Sequence, residues 1–77
     1  MLTLGIKGKE ETLVTEANSA KTMESGTLDV FATPAMTALM EKTAWKSVAP
    51  YLEEGMGTVG TLLQITHDAP TALGMKV

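Results

Sequence analysis

Residues 33–50 carry the firmest local instruction in the chain. Thr33 precedes Pro34, and proline in the first turn of a helix costs little because its missing N–H has no partner there anyway. Thr33 is itself of a type that caps helices. Ala35, Met36, Leu39, Met40, Thr43, Ala44, Ser47 and Val48 then recur at i, i+3, i+4, i+7 spacing. The pattern predicts a helix from Thr33 to about Ala49, stopped by Pro50. Its apolar-to-small stripe is wide enough to lie on a sheet, and Ala35, Ala44 and Ser47 permit close approach. A chain with one such helix needs a surface to cover that stripe.

The flanking segments read as strands and loops. From Ile6 to Thr15, Ile6, Gly8, Glu10, Thr12 and Val14 alternate with Lys7, Lys9, Glu11, Leu13 and Thr15, an imperfect period of two. Thr15 to Thr27 is polar and small, with a helical turn expected within Thr15–Lys21 and a loop at Ser25-Gly26. A long connection of this kind often lies over a site. Glu53 to Gly57 is a turn. Thr58 to His67 predicts a second strand, with Val59, Thr61, Leu63, Ile65 and His67 on its more apolar face. That is the face the helix should cover. Asp68 to Gly74 is a loop, and Met75-Lys76-Val77 opens a third strand. The order predicts an α+β domain in which one helix packs on an antiparallel sheet.

The bulk properties exclude several classes. Seventy-seven residues make at most one small domain, and a chain of this size buries only about 60% of its unfolded surface. Small chains often compensate with disulfides or a metal. There is no cysteine here, and one histidine with scattered carboxylates is a poor zinc set. Oligomerisation is the remaining remedy. The net charge is -3, the six lysines are spread along the chain, and there is no arginine. Nucleic-acid binding normally needs a basic stripe with arginine and aromatics, so it is not expected, although a small lysine cluster can meet the phosphates of a cofactor. No apolar run reaches the roughly 18 residues of a membrane span. The first residues lack a basic stretch followed by an apolar core. The expectation is a cytoplasmic protein.

Three side chains stand out chemically. Thr33 offers a hydroxyl, Glu41 a carboxylate, and His67, the only histidine, an imidazole. These are the parts needed to attack a carbonyl. Thr33 and Glu41 are eight residues apart on the helix, which puts their backbones about 12 Å apart. They do not touch directly on a straight helix. An imidazole reaching in from the sheet can bond to both, which favours the order Thr33–His67–Glu41. An imidazole titrates near neutrality and suits a general base. Glu41 would orient it, and Thr33 would be the nucleophile or would position water. Amides at the head of the helix can stabilise an oxyanion. Each residue also has a plain structural reading. Thr33 is a helix cap, Glu41 a solvated helix residue, and His67 a hydrogen-bonded strand end. The helix neighbours of Glu41 are Thr37, Ala38, Ala44 and Trp45, with no lysine to pair with it.

Certain words of the sequence resemble the hotdog-fold thioesterases, the family that includes the fluoroacetyl-CoA-specific thioesterases. They are Phe31-Ala32-Thr33, Leu39-Met40-Glu41, Ala49-Pro50-Tyr51-Leu52-Glu53, Val59-Gly60-Thr61 and Ile65-Thr66-His67, continued by Pro70 and Gly74-Met75. The resemblance runs from about Val14 to Val77. It implies a long central helix wrapped by a curved antiparallel sheet. It also implies hydrolysis of acyl-CoA thioesters without a metal or other cofactor, and dimers or higher oligomers with sites near the subunit interface. By resemblance Thr33, Glu41 and His67 form the catalytic set, and Gly60 is where the acyl group or its carbonyl approaches backbone. The specialised fluoroacetyl enzymes carry an aromatic lid before the threonine, whereas this chain has Thr27-Leu28-Asp29. A small or medium acyl-CoA is therefore the expected substrate.

The family domain continues through further long C-terminal strands. Residues 1–77 are thus expected to be a single, incomplete hotdog domain, truncated after its second strand. A binding module without turnover, or an inactive fragment, are the competing readings. Missing strands would expose the edge of the second strand and the helix stripe. The chain alone is expected to unfold broadly or to self-associate. Sedimentation with thermal unfolding tests this, and a sharp, high-temperature transition of a monomer would count against it.

Overall fold

The computed structural model describes residues 2–77. Its one long element is α1, Thr33–Val48. The helix begins where Thr33-Pro34 placed it and runs directly into a 3₁₀ turn, Ala49–Tyr51. Pro50 thus tightens the helix end before the chain leaves it at Leu52. A second 3₁₀ turn, Glu16–Asn18, occupies the expected helical turn of the polar segment.

The sheet is only nucleated. Residues 12–14 pair antiparallel with 74–77. The Thr12 and Val77 amides each donate to the other's carbonyl at 2.8 Å, and the Val14 amide donates to the Met75 carbonyl at 2.8 Å. Gly74 makes the turn possible: its φ of 85° lies in the left-handed region, and its amide donates to the Val14 carbonyl. The expected third strand therefore starts on the first one. Two further antiparallel bridges join Ser19 to Phe31 and Val30 to Ala72.

The predicted strand at Thr58–His67 is corrected. Among the described residues, no backbone–backbone hydrogen bond involves 58–67. A strand needs a neighbour to accept its amides, and among the described residues no bridge joins this segment to another. The face assignment is corrected with it. Ile65 and His67 are half-buried, but Val59 is 88% exposed, and it is Gly60 that is turned toward α1 at Glu41. The segment does not keep one period of two between Gly60 and Ile65.

The core sits at the head of α1. Val14, Ala20, Phe31 and Ala32 are buried, together with Ser19. Ser19 Oγ donates to the Glu16 carbonyl at 2.9 Å and accepts from the Thr22 amide at 3.2 Å, so the one buried polar side chain is satisfied. By contrast, α1 has no fully buried residue. Ala35, Met36, Leu39, Thr43, Ser47 and Val48 of its stripe are half-buried, while Met40 and Ala44 are exposed. The accessible surface is 6067 Å². A compact monomer of this mass would expose about 4,500 Å². The radius of gyration is 14.6 Å, against about 11.5 Å for a compact chain of this length. The excess lies on the open side of α1 and along 56–63.

The N-terminal segment is held to the other end of α1. Its even positions face the helix. Gly8 lies so close that an added Cβ would stand 2.6 Å from the Ser47 Cβ and 3.1 Å from the Thr43 carbonyl oxygen. Glu10 pairs with Lys46 at 2.9 Å. That bond holds the Glu10 carboxyl below its ordinary value, with partial desolvation opposing and the charges of Lys46 and Lys42 assisting. Because the folded value is lowered, the pair stabilises above the usual carboxylate range. Its contribution is lost as pH falls through the lowered value. Gly8→Ala should destabilise by about 1–3 kcal/mol through overpacking. Gly57→Ala, with nothing within 4 Å of the added atom, should be nearly neutral. Equal denaturation midpoints for the two variants would show that the segment does not seat on α1.

Candidate active site

Thr33 and His67 are 34 residues apart in sequence and meet in space. Thr33 Oγ1 lies 2.7 Å from His67 Nδ1. The contact is set up by the backbone around it. The Phe31 amide donates to the Thr71 carbonyl at 2.8 Å, and the Val30–Ala72 bridge reinforces that tie. The loop after His67 is thus fixed to the residues that enter α1. On the other side, the Ala32 amide donates to the Asn18 carbonyl at 2.9 Å. The Asn18 side chain is itself clamped, accepting from the Thr15 amide at 2.8 Å and donating to the Leu13 carbonyl at 3.0 Å. Residues 31–32 therefore present Thr33 from a backbone tied on both sides.

Thr33 is the first residue of the helix rather than its cap. The cap position falls on Ala32, which has no side-chain acceptor. The cap reading of Thr33 is corrected on that ground, because its hydroxyl engages the imidazole. The bond has two forms that differ in which atom carries the proton. Base chemistry requires the form in which the hydroxyl donates and Nδ1 accepts. Pro34 has no N–H, and the Met36 amide is taken by the Ala32 carbonyl at 2.9 Å. Among the described residues, the amides of Thr33 and Ala35 have no backbone acceptor in the first turn.

A cleft of about 280 Å³ opens beside this pair. Ala20, Val30 and Pro70 give it apolar walls, and Ser25 and Asp68 add polar groups. Asp68 accepts from the Thr66 hydroxyl at 3.1 Å. Neither Ser25 nor Asp68 stood out in the sequence. The position of Asp68 directly after the only histidine was the available signal. Ser25 read only as part of a loop, and it is the bond from its amide to the Ala20 carbonyl, 3.0 Å long, that returns it to the cleft wall.

Glu41 takes a different place from the one expected. Among the described residues, no hydrogen bond joins it to His67. It lines a separate cleft of about 200 Å³ with Gly60, Thr61, Leu62 and Leu63. A Cβ on Gly60 would stand 3.3 Å from Glu41 Oε2, so glycine leaves the carboxylate accessible there. The structure thus brings Thr33 to His67 and Glu41 to Gly60, as two pairs along one helix. Among the described residues, no three His, Cys, Asp or Glu side chains gather as a metal site. None of their helices is long and apolar enough to cross a membrane.

Replacing Thr33 with valine tests the local geometry directly. Loss of the hydroxyl should shift the imidazole nitrogen resonances of His67 toward those of a free neutral ring. Unchanged ¹⁵N shifts in Thr33→Val would mean that the bond does not form in solution.

The fold has counterparts among known proteins. A family model described as fluoroacetyl-CoA-specific thioesterase matches residues 14–77. A curated fluoroacetyl-CoA thioesterase from Streptantibioticus cattleyicolor is 47% identical over 49 residues, covering 64% of this chain and 35% of that protein. A solved fluoroacetyl-CoA thioesterase superposes with a TM-score of 0.80 at 30% identity, covering 91% of this chain and 58% of its own. A mutant of such an enzyme in complex with fluoroacetate and CoA gives a TM-score of 0.78 at 32% identity, over 87% of this chain and 57% of its own. The chain thus spans about a third of the curated relative it matches and under two thirds of the solved ones.

Proposed function

Since the chain belongs to the family of fluoroacetyl-CoA-specific thioesterases, we propose that it carries the acyl-CoA hydrolytic centre of a hotdog-fold thioesterase. The observation that supports this most is the 2.7 Å contact between Thr33 Oγ1 and His67 Nδ1 at the head of α1. A hydroxyl held against an imidazole is the activated-nucleophile arrangement. His67 Nδ1 takes the Thr33 proton as Oγ1 attacks the thioester carbonyl. The Thr33 and Ala35 amides face the developing oxyanion with the positive end of the helix dipole behind them. Collapse expels the CoA thiolate, which takes the proton back from His67, and leaves an acyl ester on Thr33. Water then attacks that ester and releases the carboxylic acid.

Glu41 has a different role in this scheme. Among the described residues no hydrogen bond joins it to His67, and at about 12 Å along the helix from Thr33 it takes no part in the step there but lines the separate cleft it shares with Gly60. Gly60 leaves room there for the acyl group. Leu62 and Leu63 make the same cleft apolar, which suits a small or medium acyl chain. The residues before the threonine, Thr27-Leu28-Asp29, carry no aromatic side chain, so fluoroacetyl need not be preferred. The uncovered side of α1 and the unpaired segment 58–63 favour a homodimer or higher oligomer whose added strands complete the sheet. The cytoplasm suits a substrate too highly charged to cross a membrane.

Thiol release from acetyl-, propionyl- and hexanoyl-CoA is the test. His67→Ala and Thr33→Ala should each lower kcat by a factor of about 10²–10⁴, and acyl label trapped from the wild type should sit on Thr33. Wild-type turnover in His67→Ala would overturn the scheme. Label on Glu41 would instead make the carboxylate the nucleophile.

A further inference from the structure

The backbone ties that bring His67 to Thr33 stop short of the ring. Residues 58–67 make no backbone–backbone hydrogen bond among the described residues, and the first such tie after His67 is at the Thr71 carbonyl. Residues 68–70 lie between. The ring itself meets Thr33 Oγ1 through Nδ1. Within three residues on either side of His67, the described residues make one further hydrogen bond. Thr66 Oγ1 donates to Asp68 Oδ2 at 3.1 Å, across the histidine.

The placement of that bond matters more than its strength. A hydroxyl and a carboxylate two residues apart meet when both turn to the same side of the chain. The side chain between them then points to the other side. Burial agrees, since Thr66 and Asp68 are exposed and His67 is half-buried. The imidazole faces Thr33 at the head of α1, and the Thr66–Asp68 bond lies behind it. A backbone rotation that swings the ring off Thr33 also moves Thr66 relative to Asp68. The two bonds therefore restrain the same stretch of backbone from opposite sides.

We propose that Thr66 and Asp68 are positioning residues for His67, whose side-chain bond braces the histidine from behind and keeps Nδ1 at hydrogen-bond distance from the Thr33 hydroxyl. The importance of the brace for turnover rests on the acyl-CoA reading given above, whereas its effect on the ring does not. An exposed hydrogen bond adds little to global stability, because water competes for both partners. Its effect on geometry is larger where little else fixes the chain. Proton transfer needs the heavy atoms within about 2.6–3.2 Å, and a displacement of about 1 Å takes the pair out of that range. The brace needs an acceptor at 68 rather than a charge. An asparagine oxygen there accepts from Thr66 as the carboxylate does, and serine at 66 donates as threonine does.

Four single variants test the brace. Thr66→Val and Asp68→Ala remove the bond, while Thr66→Ser and Asp68→Asn keep it. Both positions are exposed, so none of these changes opens the buried cluster. The imidazole nitrogen resonances of His67 are the first readout and do not depend on turnover. They should move toward those of a ring free of Thr33 in Thr66→Val and Asp68→Ala, and stay near the wild-type positions in Thr66→Ser and Asp68→Asn. The double variant Thr66→Val with Asp68→Ala should move them no further than either single change, because both remove one bond. Thiol release from acetyl-CoA is the second readout. In Thr66→Val, kcat should fall about five- to tenfold with KM unchanged, and Thr66→Ser should restore it. Unchanged His67 resonances in Thr66→Val would overturn the proposal. So would a shift in Asp68→Asn equal to that in Asp68→Ala, which would mean that the carboxylate acts by its charge. If the resonances respond as expected but the wild type hydrolyses no thioester, the acyl-CoA reading fails and the brace stands.

Discussion

The hydrogen bond from the Phe31 amide to the Thr71 carbonyl, 2.8 Å long, is the constraint on which the site depends. Thr33 and His67 are separated by 34 residues, and closing a loop of that length costs several kcal/mol of chain entropy that no single side-chain contact can offset. The backbone does most of that work. Once Thr71 is pinned at Phe31 and Ala72 at Val30, the imidazole four positions earlier has little freedom left. Asn18 plays the matching part on the other flank, with its carbonyl on Ala32 and its amide group across the 13–15 turn. The buried residues Val14, Ser19, Ala20, Phe31 and Ala32 then exclude water from these bonds, which strengthens them. The chain concentrates its order where Thr33 enters the helix.

The opposite condition holds along the second half of α1 and beyond it. Leu62 is 86% exposed, and Trp45, Met40 and Met56 are also open to solvent. A contiguous apolar surface of this kind is seldom left uncovered on a stable monomer. The two ends of the molecule therefore differ in what they need. The Thr33–His67 end is already hydrogen-bonded internally, while the Glu41–Gly60 end has the helix on one side and an unpaired extended segment on the other. Covering that segment would bury Leu62 and Val59 and would also exclude water around Glu41. Burial of that segment and desolvation of the second cleft would thus be one physical event.

What was legible in the sequence follows from the range of the forces that wrote it. The ends of α1 are set by Pro34 and Pro50, which act on their own backbone, and both stand where expected. The turn at Glu16–Asn18 is also local, whereas the pairing of 75–77 with residues 12–14 joins opposite ends of the chain, and only the extended character of 75–77 was legible. The meeting of Thr33 and His67 was read from chemistry together with resemblance, and the geometry brings them together. The inward face of 58–67 was not legible, because a period of two holds only for a strand with neighbours on its edges. Without them the chain turned Gly60, not Val59, toward the helix. The order Thr33–His67–Glu41 was misleading for a related reason. Helical rise correctly kept Thr33 from Glu41, but it said nothing about where along the helix the imidazole would land. The close seat of Gly8 on Ser47 is likewise a tertiary contact with no local signature.

The entry into α1 departs from a local optimum. Ser, Thr, Asn or Asp at the cap position would satisfy a first-turn amide, and alanine there forgoes about 1 kcal/mol. The chain has alanine at 32 and places the hydroxyl one residue later, at 33. From that position the hydroxyl reaches His67 and leaves the Thr33 and Ala35 amides without a side-chain acceptor. A threonine at the cap would have consumed one of those donors and turned its own oxygen inward, toward the helix. The arrangement observed keeps the Thr33 hydroxyl on His67 Nδ1 and leaves the first-turn amides without a side-chain acceptor, at the expense of helix stability. The buried cluster behind Ala32 is the compensation. It fixes the start of the helix by packing and by the Asn18 carbonyl, so that the cap is not needed to define where α1 begins.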